Sequence, residues 1–362
     1  MRVALVHDYL TQYGGAERVL EVLHNHFPDA PVFTSLHDPA HLPDAFRDWD
    51  IHVSPLQRIP GATRSHRLWT LLYPAMFAHL GFHDVRDVDI VIATSSAWAH
   101  HIRPRQDIPV ICYCHSPARF LYGDPNYLDP AKIPGPIRPL ANGMFRVMRE
   151  FDTRAARHLT HVIANSGAVR ERICEQWGVD ATVIHPPIEV ERFQPTSPVE
   201  IEDWFLVVSR LVPHKWIDRA IHACTVASIP LKVIGSGRST RYLRNMAGPT
   251  IEFLGEQPDA VVVDHMQRCR ALILPGIEDF GMTAVEAQAA GRPVFAARGG
   301  GALETVIPGV TGMLFDPTKP EELIALMQQD HIWDTQTIQH NAEQYDTSIF
   351  LQKIDALVAD VM

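Results

Sequence analysis

The sequence predicts an α/β protein made of two successive doubly wound parallel sheets, each in a domain of its own. Short apolar runs rich in β-branched residues alternate with longer amphipathic stretches, which is typical of parallel strands joined by crossover helices. The alternation stops at a proline-rich, charged segment and then starts again. A length of 362 residues also suits two domains that each bury a core.

The predicted strands are short and the predicted helices lie between them. In the first half, strands are expected at residues 3–7, 32–36, 89–94, 110–115 and 161–165, with the clearest helices at 16–25 and 145–158. In the second half, strands are expected at residues 204–210, 231–235, 251–255, 271–275 and 293–297, and helices at 320–329 and 348–361. Strands alternating with helices in this way favour parallel sheets.

The domain boundary is predicted where strand and helix patterns both lapse, after His185-Pro186-Pro187. Proline removes a backbone donor and blocks helix continuation, so this stretch indicates a linker. We expect a first domain at residues 1–187, a linker at 188–200, a second domain at 201–345 and a final helix within 346–362. Ligands of such sheets bind at the carboxyl ends of the strands, which makes the cleft between the domains the expected site.

Composition and charge exclude several classes of protein. The formal net charge of −10 argues against general nucleic-acid binding, which depends on neutralising phosphates. No apolar run approaches the roughly 20 residues of a membrane-spanning helix. The chain enters a strand pattern at Arg2, which leaves no room for a signal peptide, so a cytoplasmic location is expected.

The cysteines indicate reduced thiols rather than disulfides, because five of them are scattered through a large chain. Cys112 and Cys114 stand next to His115, which suggests a metal site. One intervening residue on a strand supplies no further ligands, however, so two core cysteines are the preferred interpretation. No other metal-ligand spacing and no Asp-x-Asp motif stands out, and we predict no metal or cofactor.

The first candidate motif is the glycine pair Gly14-Gly15, which follows the first strand and opens a helix. Glycines allow close approach of a ligand, and a helix start attracts anionic phosphate. A tight strand-to-helix turn without a ligand explains the pair equally well. The third glycine of the dinucleotide fingerprint is absent.

The second candidate motif is Ser209-Arg210 at the end of a predicted strand, with Lys215 five residues after Arg210. Two cations at this edge of a sheet suit a diphosphate, whose charge must be neutralised in binding and on departure. A structural salt bridge is the alternative for each residue alone.

The third and strongest motif is the run at residues 275–286, PGIEDFGMTAVE. It leaves a strand, turns at a glycine and begins a helix, whose first N–H groups are free to meet phosphate. Glu278 lies in the turn and Glu286 about two helical turns later. Two carboxylates placed in this way suit the hydroxyls of a sugar and of a ribose.

This run resembles the glutamate-x7-glutamate signature of the family-4 retaining glycosyltransferases, which have the GT-B fold of two Rossmann-like domains facing across a cleft. The resemblance extends to the glycine pair, to Arg210 with Lys215, and to residues 299–305 (GGGALET) followed by 309–315. It implies that Arg210 and Lys215 hold the donor diphosphate, that Glu278 meets the donor sugar and that Glu286 meets the ribose. The donor-binding set is completed by Gly14, Gly15, Ser209, Asp279, Phe280, Gly281, Met282 and Thr283. In relatives of this fold the last helix crosses back onto the first domain.

In the first half, residues 113–122 (YCHSPARFLY) resemble the branch that contains bacterial O-antigen and exopolysaccharide mannosyltransferases. The resemblance assigns His115 to a position against the donor sugar, as a catalytic residue beside Arg210, Lys215 and Glu278. Asn165 and Arg119 are further candidates for the cleft. For Asn165-Ser166, a helix cap is an equally good explanation.

The resemblance implies a retaining hexosyltransferase, with mannose from GDP-mannose as the first choice and a glycan or polyprenyl-linked glycan as acceptor. UDP-linked hexoses are the alternative donors. Two rival functions remain open, a sugar-nucleotide epimerase of the same architecture and a non-catalytic sugar-nucleotide binding module. No carboxylate pair suited to double displacement is recognisable, so attack on the face that the leaving group vacates is expected.

A basic stretch predicts contact with an anionic membrane at the inner face of the cell membrane. Residues 55–158 contain 13 Arg and Lys against 8 Asp and Glu. The arginines considered are Arg58, Arg64, Arg67, Arg138, Arg146, Arg149, Arg154 and Arg157, and the apolar residues between them are Trp69, Leu71, Leu72, Met76, Phe77, Met144, Phe145 and Met148. Such a surface could rest on lipid, although ordinary helices with a buried apolar face have the same composition.

Overall fold

The computed structural model describes residues 1–63, 69–79, 88–104, 108–122 and 138–362, and the chain forms two compact units. The first unit contains Met1–His185 together with Leu351–Met362, and the second contains Pro186–Phe350. Each unit is a parallel sheet with helices packed against it. The predicted α/β class and the two doubly wound sheets are confirmed.

The first sheet has seven described strands in the order β3-β2-β1-β4-β5-β6-β7, and every pair is parallel. Its strands are β1 Val3–His7, β2 Val32–Thr34, β3 Ile51–Val53, β4 Ile90–Ser95, β5 Val110–Cys114, β6 His161–Ala164 and β7 Thr182–Val183. Its helices are α1 Gly15–His26, α2 Tyr73–His79, α3 Arg138–Ala156 and α4 Gly167–Trp177. The central strands β1, β4 and β5 are buried along their whole length, as helices on both faces require.

The second sheet has six described strands in the order β10-β9-β8-β11-β12-β13, again all parallel. Its strands are β8 Phe205–Val208, β9 Leu231–Ile234, β10 Ile251–Gly255, β11 Ala271–Leu274, β12 Val294–Ala297 and β13 Gly312–Phe315. The helices are α5 Val190–Phe193, α6 Ile217–Ala227, α7 Thr240–Met246, α8 Asp259–Arg268, α9 Met282–Ala289, α10 Ala302–Thr305, α11 Pro320–Gln328, α12 Thr335–Glu343 and α13 Thr347–Val361.

Some elements differ from the sequence prediction. The edge strands β3 and β7 are short and half-exposed, so they carry too few apolar residues to show a strand pattern. The segment predicted as a linker contains α5, whose Val190 and Phe193 belong to the core of the second unit. Ile188 also pairs with Asp346 in an isolated bridge. The prolines of this stretch therefore do not make it an unpacked linker, because several of its residues lie in the core of the second unit.

The last helix, α13, begins in the second unit, and its residues from Leu351 onward belong to the first. Its buried stripe is formed by Phe350, Ile354 and Val358, spaced four residues apart on one helical face. Asp355 pairs with His26 at the end of α1, with 2.7 Å between the imidazole Nε2 and the carboxylate oxygen. In the described parts of the chain, no helix has both the length and the apolar character that crossing a bilayer requires.

The cysteines are free thiols. Cys112 and Cys114 are fully buried on β5, within an apolar cluster that includes Val162 and Trp177. The core interpretation of this pair is therefore confirmed. Burial raises the pKa of the Cys112 thiol, with the carboxylates of Asp8 and Asp152 adding to the effect, so the thiol stays protonated.

Candidate active site

The second sheet reverses its strand order between β8 and β11, and most of the predicted site residues lie at this reversal. The chain moves from β8 outward through β9 and β10, then returns to the other side of β8 with β11. Loops that leave two such neighbouring strands diverge, which opens a crevice at their carboxyl ends. Arg210 follows β8 and Glu278 follows β11, so both stand at the position where an open α/β sheet binds its ligand.

The loop after β8 is held in place by a glycine turn after β9. The N–H of Leu211 donates to the carbonyl of Ser236 over 2.8 Å. A Cβ atom at Gly235 would lie 2.0 Å from the carbonyl oxygen of Ser209, and one at Gly237 would lie 2.4 Å from that of Leu211. Only glycine permits this approach, and both glycines also have positive φ. Sequence reasoning missed this turn, although two glycines directly after a strand are the signal that would have found it.

Lys215 and Glu278, predicted from motifs 63 residues apart, are in direct contact. The ammonium group of Lys215 donates a hydrogen bond to Glu278 Oε2, and the two side chains are 20% and 18% exposed. The loops that carry them touch, because a Cβ atom at Gly276 would lie 2.8 Å from the carbonyl oxygen of Lys215. The pair can serve a ligand, since the ammonium has further donors and the carboxylate further lone pairs.

The turn from Glu278 to Gly281 leads directly into α9. Gly281 has φ +87° and stands at the N-cap without a side-chain cap, and its carbonyl accepts the N–H of Ala284 over 2.9 Å. The first N–H groups of a helix have no acceptor within the helix, and they carry its positive dipole end. Met282 and Thr283 are partly exposed there. The start of α9 can therefore receive an anion.

The turn is fixed from behind by the glycines at residues 299–301. A Cβ atom at Gly300 would lie 2.0 Å from the carbonyl oxygen of Glu278, and one at Gly301 would lie 2.3 Å from Cα of Phe280. The N–H of Gly301 donates to the same Glu278 carbonyl over 3.0 Å. The glycine run that contributed to the family resemblance thus sets the position of the Glu278 backbone.

The other predicted residues of this motif differ in exposure. Phe280 is 2% exposed and its ring meets Tyr345 edge to face, so its side chain belongs to the core. Glu286 lies inside α9 and is 5% exposed, whereas Asp279 is partly exposed in the turn. Arg210 is exposed and Ser209 partly so. Phe280 can therefore contact a ligand through its backbone but not through its side chain.

In the first unit, the strand order reverses between β1 and β4, and Gly14-Gly15 opens α1 after β1. Gly14 is extended, with φ −157°, and its carbonyl accepts the N–H of Arg18. A Cβ atom at Gly14 would lie 3.3 Å from Glu17 Oε2. The turn therefore lies close to the Glu17 side chain, and donor binding by Gly14 and Gly15 stays a prediction.

Two side chains at the end of β1 were not predicted, and both fix the surroundings of this turn. The carboxylate of Asp8 accepts the backbone N–H groups of four successive residues after β4, at 2.6 to 3.0 Å, and these are Ser96, Ala97, Trp98 and Ala99. His7 lies 2.7 Å from Thr94 Oγ1 through Nδ1 and 3.7 Å from Glu17 through Nε2. Burial raises the pKa of Glu17, but His7 outweighs it and the pKa is lowered, so the carboxylate stays ionised.

His115 lies at the end of β5, half-buried and held through its backbone. Its N–H donates to the carbonyl of Ser95 over 2.8 Å, and the side-chain amide of Asn165 donates to its carbonyl over 3.0 Å. Ser166 caps α4 by accepting the N–H of Val169 over 3.2 Å. The helix-cap role is thus confirmed for Ser166, while Asn165 positions His115. Arg119 is partly exposed in the following turn.

The chain is similar over part of its length to mannosyltransferases. It is 30% identical over 186 residues to a GDP-mannose-dependent monoacylated alpha-(1-6)-phosphatidylinositol monomannoside mannosyltransferase of Corynebacterium glutamicum, covering 43% of this chain and 49% of that protein. It is 30% identical over 174 residues to a GDP-mannose-dependent alpha-mannosyltransferase of Mycolicibacterium smegmatis, covering 46% of each. The chain thus spans about half the length of the curated relatives it matches.

Solved structures share the fold over the whole chain. The crystal structure of Anabaena HepE in complex with UDP and glucose superposes with a TM-score of 0.72 at 21% identity, covering 99% of both chains. This likeness supports the GT-B fold, in which each of the two units is Rossmann-like.

Two family models match adjacent parts of the chain. The model described as Glycosyltransferase Family 4 matches residues 13–192, and the model described as Glycosyl transferases group 1 matches residues 189–344. The match at residues 189–344 contains every residue of the second unit that was predicted for the active site. The two matched regions together run from residue 13 to residue 344, and the chain belongs to the family-4 glycosyltransferases.

Proposed function

We propose that the protein is a retaining glycosyltransferase that moves mannose from GDP-mannose to a glycan or polyprenyl-linked glycan in cell-surface polysaccharide synthesis. The observation that carries the proposal is the contact of Lys215 with Glu278 where the second sheet reverses, beside the start of α9. A cation, a sugar-binding carboxylate and free helix N–H groups are what a nucleotide sugar requires. The two rival functions are not favoured, since both matching models describe glycosyltransferases.

In this mechanism, Arg210 and Lys215 stabilise the negative charge that develops on the diphosphate as it leaves, together with the positive end of α9. Glu278 accepts hydrogen bonds from hydroxyls of the donor sugar, and Glu286 accepts them from the ribose. The family resemblance assigns His115 to the donor sugar. The acceptor hydroxyl attacks the anomeric carbon on the face that the diphosphate vacates, so the anomeric configuration is retained. The proton of the hydroxyl passes to a phosphate oxygen of the leaving diphosphate.

Metal-independent transfer is part of the proposal. Two side-chain cations and a helix start supply positive charge for the diphosphate, which is the role that a divalent cation has in many nucleotide-dependent enzymes. Mannose as the transferred sugar is supported by the two named relatives, which are GDP-mannose-dependent and are 30% identical to this chain over 186 and 174 residues. The proposed location is the cytoplasm, at the inner face of the cell membrane.

The donor is tested by incubating the purified chain with GDP-mannose, UDP-glucose or UDP-galactose, each with and without methyl α-mannoside and a synthetic polyprenyl diphosphate disaccharide. We expect GDP release that needs an acceptor probe and persists in EDTA, and an α-linked product by NMR. Turnover with a UDP-hexose alone would move the donor assignment to the alternative. An altered donor without acceptor would indicate an epimerase, and binding without any turnover would indicate a binding module.

Membrane contact is proposed for the exposed face of α3. Leu140, Val147 and Phe151 are 77%, 51% and 52% exposed, and their spacing of seven and four residues puts them on one face of the helix. Arg146 and Arg154 are exposed on α3, and Arg157 is exposed directly after it. An apolar stripe flanked by cations suits the interface of an anionic bilayer.

Only part of the predicted basic stretch is available for lipid. Met76, Phe77 and Met148 are at most 6% exposed, because they pack in the core of the first unit, so they cannot meet a bilayer. Arg149 donates to the carbonyl of Leu121 over 3.1 Å. Leu71 and Leu72 are exposed, as is Arg58. Arg64 and Arg67 lie outside the described residues, as does the side chain of Arg138.

We expect Leu140→Ser, Val147→Ser and Phe151→Ser, combined in one variant, to weaken binding to phosphatidylglycerol vesicles about tenfold or more. Each buried apolar side chain contributes about 1.5–3 kcal/mol when it leaves water. Co-sedimentation at low and moderate salt measures the change. Ile332→Ser is the control, because Ile332 is 99% exposed in the second unit. Equal sedimentation of the triple variant and the parent chain would contradict the lipid-contact assignment of α3.

A further inference from the structure

A buried cluster of two imidazoles and one carboxylate lies in the first unit, and none of its three residues is among those assigned to sugar transfer. His100 and His101 end the short turn Ala99–His101 that follows β4, and Asp152 lies on α3. The three residues are 0%, 4% and 0% exposed. Asp152 Oδ1 lies 3.0 Å from His100 Nε2 and 3.3 Å from His101 Nε2, and the three atoms lie within 4.8 Å of one another.

His100 Nε2 faces the carboxylate of Asp152, but among the described residues it makes no hydrogen bond. Nδ1 lies 3.1 Å from Ser95 Oγ, which suits an Nδ1–H donor. Nε2 has no hydrogen-bond partner among the described residues, although it is only 3.0 Å from Asp152 Oδ1. Two ligands of one metal ion show this geometry, because their lone pairs converge on the ion rather than on each other. Bond lengths of about 2.0–2.1 Å at a tetrahedral ion separate neighbouring ligand atoms by about 3.3 Å.

The other carboxylate oxygen is occupied by protein donors. Asp152 Oδ2 accepts the hydroxyl of Tyr122 over 2.8 Å and the indole N–H of Trp177 over 2.6 Å. These bonds orient the carboxylate so that Oδ1 is the atom turned to the imidazoles. Metal ligands in proteins are commonly oriented by such hydrogen bonds to their other atoms. Ser95 Oγ orients His100 in the same way through Nδ1.

We propose that His100 Nε2, His101 Nε2 and Asp152 Oδ1 bind a divalent first-row transition metal ion, with Zn²⁺ the best match to two imidazoles and one carboxylate. The ion ties the turn after β4 to α3 and has a structural role. It is separate from the sugar-nucleotide site in the second unit, and transfer remains metal-independent in its chemistry. The sequence did not show the site, because Asp152 lies 51 residues after His101.

The proposal is tested on the purified full chain, stripped with a chelator and then titrated with Zn²⁺ in competition with a chromophoric chelator. We expect one tightly bound Zn²⁺ per chain by elemental analysis after gel filtration, and a higher melting temperature with Zn²⁺. His101→Gln should weaken binding about 100-fold or more. His24→Gln is the matched control, because His24 is also buried but stacks on Trp49 away from the cluster.

Twenty histidines in the chain make adventitious surface binding a competing outcome, and Co²⁺ distinguishes it. Co²⁺ in the buried site should show the strong visible absorption of a tetrahedral N/O complex, which surface sites do not give. Unchanged Zn²⁺ affinity in folded His101→Gln would overturn the proposal. If that variant does not fold, the parent chain decides, since the absence of the tetrahedral Co²⁺ spectrum is equally fatal to the assignment.

Discussion

Glu278→Gln and Lys215→Ala are each expected to lower kcat/KM for sugar transfer by about 10²–10³-fold or more, which is the usual effect of removing one group that stabilises developing charge. The fold should remain intact, because the pair keeps some contact with water and its loss should cost less than the roughly 3–5 kcal/mol of breaking a fully buried pair. The rate of nucleoside diphosphate release measures the loss of kcat/KM, and thermal melting measures the stability of the fold. The exposed pair of Lys319 with Glu322, 3.2 Å apart, is the control, since Lys319→Ala should change neither.

The two substitutions should differ in their effect on nucleotide binding. Lys215→Ala removes a charge from the proposed diphosphate site, so the Kd for GDP, measured by calorimetry, should rise about tenfold or more. Glu278→Gln should leave GDP affinity nearly unchanged, because the proposed partner of the carboxylate is the sugar, which GDP lacks. Normal turnover in either variant would remove the residue from the active site, and equal losses of GDP affinity would contradict the division of roles.

Gly300→Ala should both destabilise the protein and disable the enzyme. The new Cβ atom would lie 2.0 Å from the Glu278 carbonyl oxygen, and the backbone stands at φ +59°. Left-handed backbone costs a non-glycine residue about 1–2 kcal/mol, and a clash with main-chain atoms adds about 1–3 kcal/mol. The turn that carries Glu278 must shift to relieve the clash. A displacement of about 1 Å at a reacting centre lowers the rate about 10²-fold.

Gly309→Ala separates the cost of left-handed backbone from the cost of a clash with main-chain atoms. Gly309 has a similar left-handed backbone, with φ +77°, but nothing lies within 4 Å of a Cβ atom placed there. This variant should lose only about 1–2 kcal/mol and keep its activity. Urea unfolding and transfer rates compare the two alanines directly. If Gly300→Ala were no worse than Gly309→Ala, the glycine run would have no role in positioning Glu278.

The architecture followed from the sequence because its signals are local. The runs at residues 3–6 and 271–274 are apolar throughout, which is typical of strands buried on both faces. Where a strand lies at an edge, as Ile51–Val53 does, water covers part of it and the apolar run disappears. The short helix at Val190–Phe193 was not predicted, because the prolines around it indicated a linker.

The membrane-contact hypothesis shows where residue type alone misleads. Met76 and Phe77 have the same apolar character as Leu71 and Leu72, yet the first two are buried and the last two are exposed. Which face of a helix meets the sheet depends on how the helix docks, and a composition count does not contain that information. Phe151, exposed on α3, was not singled out for the same reason.

The sequence by itself determined the two parallel sheets, the strand ends that carry Arg210 and Glu278, and the helix start at Met282, because periodicity and glycine position act over a few residues. The tertiary structure alone decided which distant groups meet. It brought Lys215 to Glu278, and it brought His100 and His101 to Asp152. Contacts across 51 to 63 residues depend on strand order and backbone packing, which no local pattern encodes.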